Sequence, residues 1–202
     1  TDVYYQQNHQ SRNAFYKILG KNIKGKKLLD LACSDGLDMR NYAKRGAHIH
    51  GIDMSEEFIA KAKINNPKFA KNMKVADFEG TRLPNDYFDI VTCKYAAQTS
   101  KRVDKLFDEA HRLLKPKGEF LILITHPLRQ YIERLGTKKN YFKQKIVNSV
   151  IFDGAMTVKE PTHTFVEYFS PEILKKFDLL HFDEGHDTAA EQIGNDIYPG
   201  FM

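Results

Sequence analysis

The residues best suited to chemistry gather in one stretch, Lys26 to Arg40, KKLLDLACSDGLDMR. Asp30 stands within a short apolar run, Leu28, Leu29 and Leu31. Ala32, Cys33, Ser34, Asp35 and Gly36 follow as a small, polar turn. A helix that starts after such a turn offers free N–H groups and a positive dipole end to a carboxylate or phosphate. Small residues let a ligand come close to the backbone. The dinucleotide fingerprint would need Gly at Ala32 and Ser34, and Gly or Ala at Leu37, so it is not met. Asp30 would also set a negative charge beside a pyrophosphate, whereas a cofactor bearing an ammonium would be drawn to it. A second acid, Asp53, closes the run AHIHGID 23 residues later. An acid at a strand end can accept hydrogen bonds from both hydroxyls of a ribose.

These acids are presented together only if strands and helices alternate around them. Leu28–Leu31 is short and bounded by turn signals, which predicts a buried parallel strand. Gly36 to Lys44 follows as a helix and Ala47 to Asp53 as the second strand. His48 and His50 alternate along that strand and read as residues facing a neighbour. Ser55 with Glu56 and Glu57 caps a helix that Asn65-Asn66-Pro67 ends. Met73 to Ala76 is a third strand leading to Asp77-Phe78, and Tyr87 to Lys94 a fourth. Ser100 to Lys115 is an amphipathic helix with Val103, Leu106, Phe107, Ala110, Leu113 and Leu114 in one stripe. A turn at Lys115-Pro116-Lys117-Gly118 leads to a buried fifth strand, Glu119 to Thr125. Ahead of all this, Thr1 to Leu19 reads as a helix packed through Ala14, Phe15, Ile18 and Leu19. After Thr125 the chain is long and charged. A hairpin around Asp153-Gly154 joins Val147–Phe152 to Ala155–Lys159. Phe177 to Phe182 is expected as a sixth strand and Asp196 to Met202 as the start of a seventh.

Composition sets bounds. A chain of 202 residues with 42% hydrophobic content fits one globular domain. No run approaches the ~20 apolar residues of a membrane span. Two cysteines, Cys33 and Cys93, make no disulfide framework, so a cytoplasmic protein is the expectation. No Cys/His cluster has zinc spacing. The net charge of +5 gathers at Arg12–Lys27 and Arg129–Lys145 and reads as solvated helix faces rather than a nucleic-acid surface.

LLDLACSDG resembles the first motif of the class I S-adenosylmethionine-dependent methyltransferases, an acid followed by x-G-x-G-x-G. It departs at two of the three glycines, Ala32 and Ser34. FDIVTC and LFDEAHRLLKPKGEFLILI resemble the fourth and fifth strands of the same class, and the likeness runs from about Lys26 to Thr125. It implies a Rossmann-like, doubly wound α/β domain over 1–202. The sheet would be mostly parallel and seven-stranded with an antiparallel last strand. A helical segment, 1–25, would precede it, and a lid insertion, 126–168, would follow strand five. The cofactor would be S-adenosylmethionine, with S-adenosylhomocysteine as product. Its ammonium and ribose suit the acids above, and it carries no phosphate.

The resemblance also assigns the cofactor's contacts. Asp30, Ala32, Cys33, Ser34 and Gly36 would form the motif turn, and Asp53 and Met54 would meet the nucleoside. Asp77 would accept from the adenine amino group, with Phe78 on the ring. Lys94 and Tyr95 would lie beside the methyl group, and Tyr5 and Arg12 of the leading helix would reach the methionine carboxylate. Tyr95 would orient the acceptor, and His126 or His163 would serve as general base. Lys94 replaces the acid with which catechol-type enzymes hold magnesium, so no metal is expected. No N-P-P-Y stretch follows the fourth strand, and Cys93 lacks the preceding Pro of cytosine-C5 enzymes. The expected acceptor is an O, N or C atom of a small molecule, handled by a monomer or homodimer. A non-catalytic S-adenosylmethionine-binding regulatory protein and an RNA methyltransferase are the alternatives.

Overall fold

The computed structural model describes residues 9–134, 139–151, 156–186, 192–193 and 196–202. These fall into two compact units. One runs from Leu19 to Ala96 and from Asp104 to Ile122; the other gathers the chain up to Ile18, Ala97–Val103 and everything from Leu123. Helix α1 (His9–Leu19) opens the described chain. Its buried residues Ser11, Phe15 and Leu19 recur every four positions, while Ile18, expected inside, is 38% exposed.

The first unit is built on a five-stranded sheet. Its strands are β1 (Lys27–Leu31), β2 (His48–Asp53), β3 (Met73–Val75), β4 (Phe88–Lys94) and β5 (Leu114–Leu123). They lie in the order β3-β2-β1-β4-β5, and the β1/β2, β1/β4 and β2/β3 pairs are parallel. A strand covered on both faces is mostly apolar. Leu28, Leu29 and Leu31 of central β1 are accordingly fully buried.

Helices α2 (Met39–Lys44) and α3 (Glu56–Asn65) connect β1 to β2 and β2 to β3. Ser55 caps α3 by accepting the Phe58 N–H at 3.2 Å. A Cβ on Gly51 would lie 2.8–2.9 Å from the end of the Met39 side chain and the Cys33 sulfur, so glycine lets α2 pack closely on β2. Helix α4 (Val103–Leu113) connects β4 to β5 and buries its predicted apolar stripe. The crossover from β3 to β4, residues 76–87, contains turns and no helix.

Strand β5 corrects one expectation. Its range begins at Leu114 rather than Glu119 and takes in Lys115-Pro116-Lys117-Gly118, where the chain still turns through a left-handed Lys117 (φ 66°). Pro116 is exposed there, on a strand at the edge of the sheet where proline is tolerated. Lys115 holds the segment by pairing with Asp89 at 2.8 Å. As an edge strand, β5 buries Leu114, Leu121 and Leu123 but leaves Pro116, Lys117 and Glu119 exposed.

In the second unit, the short helix α5 (Pro127–Arg129) runs into a π-turn, Gln130–Arg134. The predicted hairpin forms from β6 (Ile146–Ile151) and β7 (Met156–Pro161), antiparallel with Ile146 opposite Pro161; its turn at Asp153-Gly154 lies outside the described residues. The buried Glu160 carboxylate anchors the hairpin. It accepts from Ser149 at 2.6 Å and from the Gln130 amide at 3.1 Å. Helices α6 (Phe165–Tyr168) and α7 (Pro171–Leu174) follow. The expected sixth strand does not form. Phe177–Phe182 is irregular, with Leu179 and Leu180 more than half exposed. A short hairpin, β8 (Gln192–Ile193) with β9 (Asp196–Ile197), lies near the end. Phe201 then bridges antiparallel to Thr125, and Ile124 and Met202 exchange both N–H···O bonds, so the antiparallel ending is present as a two-residue pairing. Among the described residues the main sheet has five strands, not seven.

Candidate methyl-donor site

The carboxyl ends of β1, β2 and β4 bring the motif residues of the first unit together. β1 runs into the turn 32–36, which is left-handed at three points: Ala32 (φ 57°), Ser34 (φ 51°) and Gly36 (φ 71°). These are conformations that glycine adopts without cost, and here two are held by residues with a Cβ. The surroundings hold them there. Cys33 donates its N–H to the Ile52 carbonyl at 2.8 Å, and Gly36 donates to the Cys33 carbonyl at 3.0 Å. Two asparagines that read only as a helix stop also grip the turn. Asn65 Nδ2 donates to the Asp35 carbonyl at 2.7 Å and Asn66 Nδ2 to the Gly36 carbonyl at 2.9 Å. A Cβ on Gly36 would lie 2.7 Å from that Asn66 nitrogen.

Asp53 ends β2 beside this turn. Its Oδ2 accepts the Ser34 N–H and its Oδ1 the Ser55 N–H, both at 2.9 Å. Each oxygen keeps a second lone pair, so the group is pinned yet able to accept two further hydrogen bonds. A ribose diol offers two donors at that spacing. The Asp53 carboxylate beside this tight turn thus fits an adenosyl cofactor.

Asp30 is 2% exposed and accepts from the Thr92 hydroxyl at 2.7 Å. Burial raises its pKa to about 6, against the pull of Lys94 and the Thr92 bond. The cation that acts on it is therefore one of the protein's own. Lys94, at the end of β4, pairs with Asp38 at 2.5 Å and lies 5.1 Å from the Tyr42 ring centroid. Sequence reasoning missed Asp38 and Thr92. Thr92 stands opposite Asp30 in the β1/β4 register, and that pairing was the available signal. Burial, with Asp30 and Asp53 nearby, pushes the Cys33 thiol far up, so it stays protonated and inert.

The remaining expected residues of this unit are placed as follows. Met54 is 67% exposed directly after Asp53. Asp77 is exposed and caps its own turn by accepting the Glu79 N–H, while Phe78 is buried. Tyr95 is half-buried with φ 51°, immediately past β4.

Three further candidates belong to the second unit, and Tyr5 lies outside the described residues. Arg12 is half-buried, its guanidinium 5.8 Å from the Tyr16 ring centroid. His126 is buried: Nδ1 accepts the Leu128 N–H at 3.1 Å, so Nε2 carries the proton and donates to Glu184 at 2.7 Å. Burial lowers its pKa, opposed by Glu184. His163 is also buried, with Nδ1 facing Glu167 at 2.6 Å and Nε2 facing the Gln98 carbonyl at 3.2 Å. Both ring nitrogens lie within hydrogen-bond distance of an oxygen. Both histidines expected as bases are thus committed to hydrogen bonds in this structure. Among the described residues no three His, Cys, Asp or Glu side chains gather as a metal site, and no helix is long and apolar enough to cross a membrane.

Known proteins resemble this chain over the same unit. A profile for the methyltransferase domain matches residues 29–122. Ubiquinone biosynthesis O-methyltransferase of Pseudomonas aeruginosa is 30% identical over 112 residues, covering 54% of this chain and 48% of that protein. The chain spans about half the length of the curated relatives it matches. An S-adenosylmethionine-dependent methyltransferase structure from Mesorhizobium loti shares the fold at 21% identity and TM-score 0.68, covering 92% of this chain and 87% of the other. Phosphoethanolamine N-methyltransferase 2 of Haemonchus contortus, solved with S-adenosyl-L-methionine, is 28% identical with TM-score 0.53, covering 61% and 32%. The segment 29–122, which carries the motif turn, Asp53 and Lys94, is thus similar to methyltransferase domains, and the described fold is that of an S-adenosylmethionine-dependent methyltransferase structure.

Proposed function

We propose that this protein transfers the methyl group of S-adenosylmethionine to an O, N or C atom of a small-molecule acceptor. The observation that carries the reading is Asp53, pinned by two backbone N–H groups with two lone pairs left for a ribose diol. S-adenosylmethionine supplies an already activated methyl group when bound. The protein's share is then to bind, orient and exclude water. In this reading the turn 32–36 receives the amino-acid part, Asp53 holds the ribose, and Asp77 and Phe78 meet the adenine. Tyr95 orients the acceptor. His126 and His163, already hydrogen-bonded, hold the chain after β5 in shape, and the acceptor arrives with its nucleophilic lone pair available. Recognition of the acceptor falls to 126–168, which the cofactor contacts leave free. Relatives named for ubiquinone biosynthesis and phosphoethanolamine methylation support a small molecule rather than RNA.

The test is transfer of labelled methyl from S-adenosylmethionine to a metabolite library, fractionated and compared with a tRNA and rRNA pool. Label in a small-molecule fraction supports the reading. Label confined to RNA, or none while S-adenosylhomocysteine binds, favours the RNA or non-catalytic alternatives.

A further inference from the structure

The sheet of the first unit carries a cavity that the methyl-donor site does not use. Its volume is about 180 Å³ and its lining includes His50, Lys71, Lys74, Leu83, Pro84 and Tyr87. The cause is topological. Helix α2 packs on the face of β2 that presents Gly51. His48, His50 and Ile52 alternate onto the opposite face. The β3-to-β4 crossover would ordinarily cover that face with a helix, and here it has turns only. Leu83 and Pro84 of the crossover form a wall and leave a recess beside β2 and β3.

The chemistry of the recess is one-sided. Lys71 and Lys74 line it with His50, and none of its lining residues is acidic. Lys27, opposite His48 in the β1/β2 register, holds its ammonium 3.7 Å from the Tyr87 ring centroid, at the rim. Asp89, an acid next to that rim, is spent on the Lys27 N–H and the Lys115 ammonium. His50 reports the resulting field: burial, then Lys27, Lys74 and His48, hold its pKa down at about 4. The rest of the lining is apolar or aromatic: Ile52, Leu83, Pro84, Tyr87 and Phe88, with the His50 ring edge-on to both aromatics at 5.2–5.8 Å. A concave site with convergent cations and an apolar wall suits an anion with a small organic part.

We propose that this recess binds a phosphate monoester of a small organic group, the phosphate on Lys71 and Lys74 and the organic part against Tyr87 and Leu83. A recess of about 180 Å³ is on the scale of a phosphate carrying a small organic group. A bound dianion would also offset the cations around His50 and draw that ring toward protonation, so its ring resonances report occupancy.

The experiment titrates the intact protein with phenyl phosphate, inorganic phosphate and a short RNA, following the His50 and Tyr87 ring resonances by NMR. The expected result is saturable binding of phenyl phosphate at millimolar or lower concentration, tighter than inorganic phosphate. A Lys71→Met/Lys74→Met variant, both exposed positions, should lose roughly tenfold or more and keep its S-adenosylhomocysteine affinity. No saturable shift at His50, or equal affinity in the double variant, overturns the proposal. So does RNA binding tighter than phenyl phosphate at physiological salt through the same lysines, which would assign the recess to a nucleic-acid backbone.

Discussion

Replacing Asp53 by Ala tests the assignment of the ribose site. The carboxylate spends one lone pair per oxygen on the Ser34 and Ser55 N–H groups. The other two are free for the ribose hydroxyls. Hydrogen bonds to a charged group contribute about 1.5–3 kcal/mol each, less where water can replace them. Asp53 is half-buried, so water enters on truncation, and the net loss for the pair should be about 2–3 kcal/mol. That is roughly a 30- to 150-fold rise in the dissociation constant of S-adenosylhomocysteine, read by calorimetry. The same truncation strips acceptors from two N–H groups that hold the left-handed turn, so a thermal melt must accompany the titration. Asp53→Asn separates the two effects. Its carbonyl keeps one backbone bond while its amide turns a donor toward the other, so its affinity should fall between wild type and Ala. A folded Asp53→Ala variant that binds within about threefold of wild type would refute the ribose assignment.

Asp30 supplies a pH prediction. Its pKa is raised from 3.8 to about 6 by burial, so the native state binds the proton more tightly than the unfolded chain. Its contribution is fully present below pH 3.8 and is lost as pH rises through about 6. Asp30→Asn should therefore raise stability near neutral pH, by up to ~3 kcal/mol, and flatten the stability profile between pH 4 and 6; an unchanged urea midpoint at neutral pH would count against it. Gly36→Ala forces a Cβ into a left-handed turn and onto Asn66; about 2–3 kcal/mol of stability should be lost in denaturant titration. Ala32→Gly relaxes a left-handed alanine and should be neutral or stabilising by about 1 kcal/mol in the same assay. Glu160→Ala leaves the Ser149 hydroxyl and Gln130 amide without this buried acceptor and should cost about 2–4 kcal/mol, seen as earlier amide exchange in β6 and β7.

The first unit was largely legible because its signals are local. The leucines of β1, the Ser55 cap and the stripe on α4 each identify an element from a few residues. The hairpin β6–β7 was legible for the same reason: two runs of strand-forming residues flank Asp-Gly. What failed depended on partners the sequence does not name. Lys115-Pro116-Lys117-Gly118 has turn composition and a left-handed Lys117, yet the edge strand takes it in. Phe177–Phe182 has strand composition, yet Phe182 packs its ring on Phe165 and Phe169 and the segment stays irregular. The Lys94–Asp38 pair and the engagement of His126 and His163 join residues far apart in the chain. Periodicity and motif spacing do not report such contacts.

The central claim is that the turn 32–36 and Asp53 hold an adenosyl methyl donor. Its most direct test is amide hydrogen exchange of the whole protein with and without S-adenosylhomocysteine, with NADH as control. The account predicts slowed exchange at the Ser34 and Ser55 amides and through the turn, with no effect from NADH. Unchanged exchange across 30–55 at saturating S-adenosylhomocysteine, or protection by NADH instead, would contradict it.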